Sequence, residues 1–137
     1  AYDRKQANIA LVDQARNGPG SAIVHSDDER GIQRLNQEAA KAWSAGNRAG
    51  YNISKARAIN WITSNPAKAA GIYDRTGSIV AGKDADLVLW SKNPFSVYAL
   101  AENVYIDGGL AFDREVGFYP VSDFDLGIIK PSGVRVE

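Results

Sequence analysis

The segment NPAKAAGIYDRTGSIVAGKDADLVLW, Asn65–Trp90, contains the point at which the sequence changes from a helical to a β-rich pattern. Asn65 suits the N-terminal cap of a short helix, Pro66 suits its first position, and Gly71 suits the residue directly after its end. Beyond residues 73–77, glycines separate short runs rich in β-branched residues, which are typical of strands. The segment therefore predicts an α/β protein in which helices come before a small all-β part.

Helices and one strand are predicted before this segment. Lys5–Arg16 has apolar residues at helical spacing, and the nearly all-apolar run Ser21–His25 is typical of a buried parallel strand. Apolar residues recur at helical spacing through Ile32–Gly46, and a further helix is predicted to open at Ser54, a favourable N-terminal cap. The order helix, strand, helix, helix is typical of part of an α/β fold.

Short strands are predicted in the second part, at residues 77–80, 84–91, 102–108 and 109–115. The last two runs meet at Asp107-Gly108-Gly109, a sequence that favours a hairpin turn. Residues 117–137 contain several glycines and prolines and are predicted to form an irregular tail.

Composition limits the classes of partner. The 137 residues fit one domain, and the content of 45% hydrophobic and 23% charged residues is that of a globular protein. Sixteen basic residues balance sixteen acidic ones, so no net field attracts the chain to nucleic acid or to an anionic membrane. No apolar run approaches the roughly 18 residues of a membrane span. The lack of cysteine excludes disulfides and thiol nucleophiles, and leaves cytoplasm and periplasm both open as compartments.

Residues 62–115 resemble the carboxyl-terminal end of the metal-dependent amidohydrolase superfamily, in its imidazolonepropionase-like branch. Three stretches look like the family's last barrel-associated helix, its return into a small β-sandwich and its final hairpin, namely Asn65–Ile72, Gly77–Val88 and Val104–Gly108. Upstream, AIVHSDD (Ala22–Asp28) sits where such enzymes have the eighth strand of a (β/α)8 barrel, and Asp27 matches the aspartate that ends this strand.

The resemblance implies an α/β fold in three parts. Residues 1–72 correspond to the last strand and helices of the barrel, residues 73–116 to the carboxyl-terminal strands of a composite β-sandwich, and residues 117–137 to the irregular tail.

The resemblance also implies a hydrolase that uses one or two divalent metals, usually zinc, to activate water against an amide, lactam or related carbon–nitrogen bond. Asp27 is implied as metal ligand and general base. The chemistry agrees, because Asp27 follows an apolar strand at the end where barrel active sites lie. A carboxylate there can bind a metal, take a proton from the activated water and return it to the leaving nitrogen.

The polar residues of this stretch have alternative roles. Without the resemblance, capping a helix that begins near Arg30 is the favoured role for Asp27, and Asp28 is the better capping candidate once the resemblance is considered. His25 shares a side of the strand with Asp27. Its open roles are contact with substrate, lining of the pocket or a hydrogen-bonded place in the core, whereas the family match puts no metal ligand there.

Other noticeable residues have structural explanations. The pair Asp84 and Asp86 falls in the β part, where turn and strand-edge roles are expected rather than metal binding. Asn36 lies on the helix after the strand, and contact with substrate is not its favoured role. The tryptophans are interpreted as packing anchors, and they are Trp43, Trp61 and Trp90.

The sequence lacks most of what the family's metal site needs. It has one histidine, and a closed barrel takes about 250 residues. We therefore expect a carboxyl-terminal fragment of a longer enzyme that acts on a small-molecule substrate. As an isolated chain it is expected to be inactive and to bind zinc weakly or not at all. Its expected partner is the missing amino-terminal portion or a second copy. The alternatives are a non-catalytic α/β module and a subunit of a split enzyme that needs a histidine-bearing chain.

Overall fold

A computed structural model of the chain describes residues 8–15, 22–27 and 30–116. Its helices are α1 (Asn8–Gln14), α2 (Leu35–Arg48), α3 (Lys55–Ile59) and α4 (Ser64–Ala69), with 3-10 turns at Ile32–Arg34 and Asn60–Ile62. Its strands are β1 (Leu87–Trp90), β2 (Ala101–Ile106) and β3 (Gly109–Asp113). The predicted order of helices before strands is confirmed, whereas the predicted tail lies outside the described residues.

The predicted helix ends are confirmed at two places and wrong at a third. Ser54 caps α3, because its Oγ accepts a hydrogen bond of 3.1 Å from the backbone N–H of Arg57. Gly71 follows α4 with a φ of +73°, the left-handed conformation that glycine adopts without strain. Asn65 is not the cap of α4, which begins one residue earlier with Thr63 at the cap position. The Asn65 side chain is buried and contacts the segment before α2 instead.

Two predicted strands are not formed in the described residues. Residues 22–26 belong to no sheet, because no described strand lies beside them to form a ladder. Their placement in a barrel therefore stays a prediction. Residues 77–80 pass from a bend at 76–78 into irregular structure at 79 and 80, and the chain turns back so that the Asp84 N–H donates to the Arg75 carbonyl at 2.8 Å. This turn uses the residues that were expected to pair as a strand.

The core of the helical part is built around Trp61, which is fully buried. Small and aliphatic residues surround it, namely Ala10, Ala22, Ile53 and Ala58. Helices α1 and α2 approach closely at Gly46, where an added Cβ would lie 2.6 Å from the Cβ of Ala10. Trp43 packs at the edge of this core and donates its indole N–H to the Ile53 carbonyl at 2.7 Å. The role of these two tryptophans as packing anchors is confirmed, and the partly exposed Trp90 lies in β1.

The strands form one antiparallel sheet in the order β1-β2-β3. Asp107 and Gly108 connect β2 to β3 with φ values of +50° and +78°, the signs of a type I′ hairpin turn, so the predicted hairpin is confirmed. Asp86 holds this turn, since its Oδ1 accepts from the Asp107 N–H and its Oδ2 from the Thr76 hydroxyl, both at 3.0 Å. Asp84 pairs with Arg75 at 2.9 Å. The expected turn and strand-edge roles of the two aspartates are confirmed.

Apolar side chains of the sheet remain exposed, among them Leu87, Val88 and Leu89 of β1 and Ile106 and Leu110 of the hairpin. Within the described residues a single sheet of three strands is present, so the second layer of the predicted sandwich is not seen. No helix among the described residues is long and apolar enough to cross a membrane.

The helical part and the sheet are joined through α2. The Asn36 amide, which is buried, donates to the Pro94 carbonyl at 2.7 Å, and the rings of Trp43 and Phe95 lie 6.0 Å apart. Asn36 therefore ties α2 to the loop after β1. These contacts set the position of α2, which follows the segment that carries the candidate site.

Candidate functional site

The candidate site lies at the end of a short segment that two contacts hold against the helical core. The N–H of Val24 donates to the Trp61 carbonyl at 3.0 Å. The side-chain amide of Asn65 donates to the Ala22 carbonyl at 2.9 Å. Ala22 is completely buried, so the segment begins in the core and leads outwards to His25 and Asp27.

His25 and Asp27, which were predicted to share one side of a strand, lie close together although residues 22–26 belong to no sheet. Nδ1 of His25 lies 3.1 Å from Oδ1 of Asp27, and the two side chains are 70% and 92% exposed. The exposure contradicts the interpretation of His25 as a core histidine. Because the 3-10 turn begins at Ile32 with Gly31 at the cap position, Asp27 is not the cap of the following helix either. Asp28, the other capping candidate, lies outside the described residues.

The pair offers one carboxylate and one imidazole to a ligand. A catalytic zinc site takes three protein ligands and keeps one position for water. Nowhere in residues 8–15, 22–27 and 30–116 do three or more His, Cys, Asp or Glu residues lie close enough to hold a metal ion. Asp27 therefore fits the role of one metal ligand, because its carboxylate is accessible, while the described residues do not form a complete site.

The sequence interpretation missed a buried acidic residue behind this segment. Asp13 on α1 is 1% exposed, and its Oδ1 accepts the indole N–H of Trp61 at 3.1 Å. Its Oδ2 lies 2.6 Å from Nε of Arg57, which reaches it from α3. A signal was present, because Asp13 stands one helical turn after Ile9 on the apolar side of the predicted helix. A carboxylate in such a place requires partners when it is buried.

Asp13 is connected to the candidate site through Trp61. The side chain of Trp61 binds the Asp13 carboxylate, and its main-chain carbonyl accepts the Val24 N–H. The indole and the carbonyl of one residue thus link the buried acid to the segment that ends at Asp27. The second hydrogen bond to this segment comes from the side chain of Asn65 on α4 and does not involve Trp61.

Residues 12–113 match the model of the amidohydrolase family. The amidohydrolase tasK of Hapsidospora irregularis is 37% identical over 84 residues, which are 61% of this chain and 8% of that protein. The urease subunit alpha of Haloquadratum walsbyi is 24% identical over 131 residues, which are 85% of this chain and 22% of that subunit. A crystal structure of an amidohydrolase from Thermotoga maritima MSB8 is 27% identical with a TM-score of 0.46, covering 79% of this chain and 35% of that one. The chain thus spans a minor part of each of these proteins.

Proposed function

The chain belongs to the amidohydrolase family, and we propose that it supplies the carboxyl-terminal part of a metal-dependent hydrolase that cleaves an amide, lactam or related carbon–nitrogen bond. The observation that carries the proposal is the accessible carboxylate of Asp27 at the end of a segment held by the core, with the imidazole of His25 at 3.1 Å. In this proposal residues 22–26 form the last strand of a (β/α)8 barrel, whose active sites lie at the carboxyl ends of the strands.

Asp27 acts as metal ligand and as general base and acid. Its carboxylate takes a proton from the attacking water and later delivers it to the nitrogen of the leaving group, so that the nitrogen departs as a neutral amine. The exposure of the side chain supports this role, because a group that exchanges protons with substrate must be reachable. A bound divalent metal, which we expect to be zinc, lowers the pKa of the water and polarises the substrate carbonyl.

His25 orients the Asp27 carboxylate. A neutral imidazole with its proton on Nδ1 donates to Oδ1 of Asp27 across the observed 3.1 Å, which fixes the rotation of the carboxylate. Nε2 is then the ring atom available for a substrate contact. We assign His25 to substrate binding and orientation rather than to the metal.

The first test uses the complete enzyme that contains this chain. Asp27→Asn keeps the shape of the side chain but cannot bind a proton, so we expect kcat to fall by at least about 100-fold on dipeptides or lactams. Asp74→Asn is the control, because Asp74 is also exposed and lies in the turn after α4, outside the segment that carries His25 and Asp27. An Asp27→Asn enzyme with the activity of the control contradicts the role of Asp27.

The second test uses the 137-residue chain and titration calorimetry with zinc. We expect weak binding, because the described residues provide no group of three ligands. Addition of a histidine-bearing amino-terminal segment is expected to strengthen zinc binding, and Asp27→Asn to weaken it again. A tight zinc site in the chain alone contradicts the shared site, and a metal-loaded complete enzyme that hydrolyses none of these bonds favours the non-catalytic module.

A further inference from the structure

The segment that leads to Asp27 is held by two groups that come from different elements. One is the main-chain carbonyl of Trp61, which accepts the Val24 N–H at 3.0 Å. The other is the side-chain amide of Asn65, which donates to the Ala22 carbonyl at 2.9 Å. We call these two groups the clamp. Since they bind the segment at residues two apart, they fix both its position and its direction.

The Trp61 half of the clamp is fixed by the packing of the helical core. Trp61 is fully buried, and its indole N–H binds the carboxylate of Asp13, which is itself 1% exposed. Arg57 donates from Nη2 to the main-chain carbonyl of Asp13 at 3.1 Å and so joins α3 to α1. Movement of the Trp61 carbonyl therefore requires movement of a close-packed core, which is costly.

The second half of the clamp depends on one side chain. Asn65 is 6% exposed and is the second residue of α4, two residues after the cap position at Thr63. Its side chain therefore does not cap the helix, the role that Asn commonly has at a helix N-terminus. It binds the Ala22 carbonyl instead, 43 residues away in sequence. The bond gives the carbonyl of the buried Ala22 the partner that it needs, and Ala22 lies three residues before His25.

We propose that Asn65 is a positioning residue, and that through the clamp it sets the distance between His25 and Asp27. The proposal rests on the function proposed for Asp27. His25 follows Val24 directly, so the direction of the clamped segment determines where the imidazole and the carboxylate lie. Misplacement of a catalytic group by about 1 Å can reduce a rate by about 100-fold, so a residue that never touches substrate can control kcat.

The kinetic test compares three variants of the complete enzyme. Asn65→Leu removes the amide and keeps a similar volume, and Asn65→Gln retains an amide donor. Thr63→Val is the matched control, because the Thr63 hydroxyl donates to the local Ile59 carbonyl at 2.9 Å in the same helix junction. We expect kcat to fall about tenfold or more for Asn65→Leu with KM within about twofold, to recover partly in Asn65→Gln and to stay unchanged in Thr63→Val.

A double variant separates positioning from general damage. In an Asp27→Asn background, Asn65→Leu is expected to reduce kcat by less than about twofold, because the group that the clamp positions is already disabled. If Asn65→Leu reduces kcat by the same factor with Asp27 present and with Asp27→Asn, the proposal is overturned. If Asp27→Asn alone leaves kcat unchanged, the proposed function has failed, and the clamp is judged by the following measurement.

The second measurement needs neither metal nor activity, because His25 is the only histidine of the 137-residue chain and gives a single set of ring signals in proton NMR. At fixed pH, Asp27→Asn is expected to shift these signals in the wild-type and Thr63→Val chains, since the carboxylate lies 3.1 Å from the ring. In the Asn65→Leu chain we expect the same change to produce less than about half of that shift.

Circular dichroism establishes that each variant is folded, and Asn65→Ala replaces Asn65→Leu if the latter is not. An Asp27→Asn shift of equal size in chains with and without the Asn65 amide overturns the proposal, whatever the kinetic result.

Discussion

Nε of Arg57 lies 2.6 Å from Oδ2 of Asp13, and this contact joins α3 to α1 inside the helical part. The two atoms are buried and are close enough for an ion pair, although they are not aligned as a hydrogen bond. The Asp13 side chain is 1% exposed and that of Arg57 is 30% exposed, so the acid depends on the pair more than the base does. The carboxylate also accepts the indole N–H of Trp61.

Replacement of Asp13 by alanine is expected to lower the free energy of unfolding by about 3 kcal/mol, because it leaves a partly buried guanidinium and a buried indole N–H without their acceptor. Urea unfolding followed by tryptophan fluorescence measures the change. Glu38→Ala is the control, since Glu38 pairs with Lys41 on an exposed helix surface and such pairs contribute less than about 1 kcal/mol. If both variants lose the same free energy of unfolding, burial of Asp13 does not make its ion pair more important than an exposed one.

Gly77 and Gly82 allow crowding to be separated from backbone strain. Both have positive φ, +86° and +90°, but an added Cβ at Gly77 would lie 2.5 Å from the Cβ of Ala67, whereas at Gly82 nothing lies within 4 Å. We expect Gly77→Ala to cost about 3 kcal/mol, from strain together with overpacking, and Gly82→Ala about 1 kcal/mol from strain alone. Thermal unfolding of both variants checks this, and the prediction is wrong if Gly82→Ala is the more damaging.

Asp86 makes part of the stability dependent on pH. The Asp107 N–H, followed by the Thr76 hydroxyl, lowers the pKa of Asp86 below its ordinary value of 3.8. A lowered pKa in the folded state means that the stabilisation is present above pH 3.8 and is lost as the pH falls through the lower folded value. Asp86→Asn is expected to reduce stability at pH 6 and to flatten its decline below pH 4, measured by urea midpoints on a pH series. Glu102→Gln, on β2, serves as the control, and an unchanged decline in Asp86→Asn contradicts the prediction.

Asp107 is a non-glycine residue of the hairpin turn with a φ of +50°, a conformation that restricts which side chains can replace it. Asn adopts this conformation readily, whereas a β-branched residue does not. We expect Asp107→Asn to change the free energy of unfolding by less than about 0.5 kcal/mol and Asp107→Val to lower it by about 1–2 kcal/mol. Thermal unfolding distinguishes the two variants, and equal stability would mean that the turn is not of type I′.

Local patterns predicted the elements that local forces determine. The cap at Ser54, the end of α4 at Gly71 and the hairpin at Asp107 each depend on residues adjacent in sequence, and each is present. Period and propensity also located α2 and the three strands. The family resemblance implied a role for Asp27 and none for His25, and the structure places the two side chains 3.1 Å apart.

Contacts between residues that are far apart in sequence could not be predicted from these local patterns. Asn65 has the sequence context of a cap, but the Ala22 carbonyl, 43 residues away, takes its amide. Residues 77–80 include the β-branched residues Ile79 and Val80, but the chain turns back between Arg75 and Asp84 and these residues form no strand. Asp13 lies in an apolar stripe that favours a hydrophobic residue, and only the positions of Arg57 and Trp61 explain why an acid is buried there.

The hydrogen bond from Asn36 to the Pro94 carbonyl has a consequence for how such a chain can be inherited. The donor and acceptor stand on opposite sides of the junction at residues 73–77, so a gene exchange at that junction takes them from different parents. Because the acceptor is a main-chain oxygen, the recombinant needs the shape of the loop at Pro94 rather than its amino acid. Chimaeric proteins are therefore expected to fold when the parental loops between β1 and β2 have equal length. They are expected to fail to fold when a deletion moves the Pro94 carbonyl out of reach of Asn36.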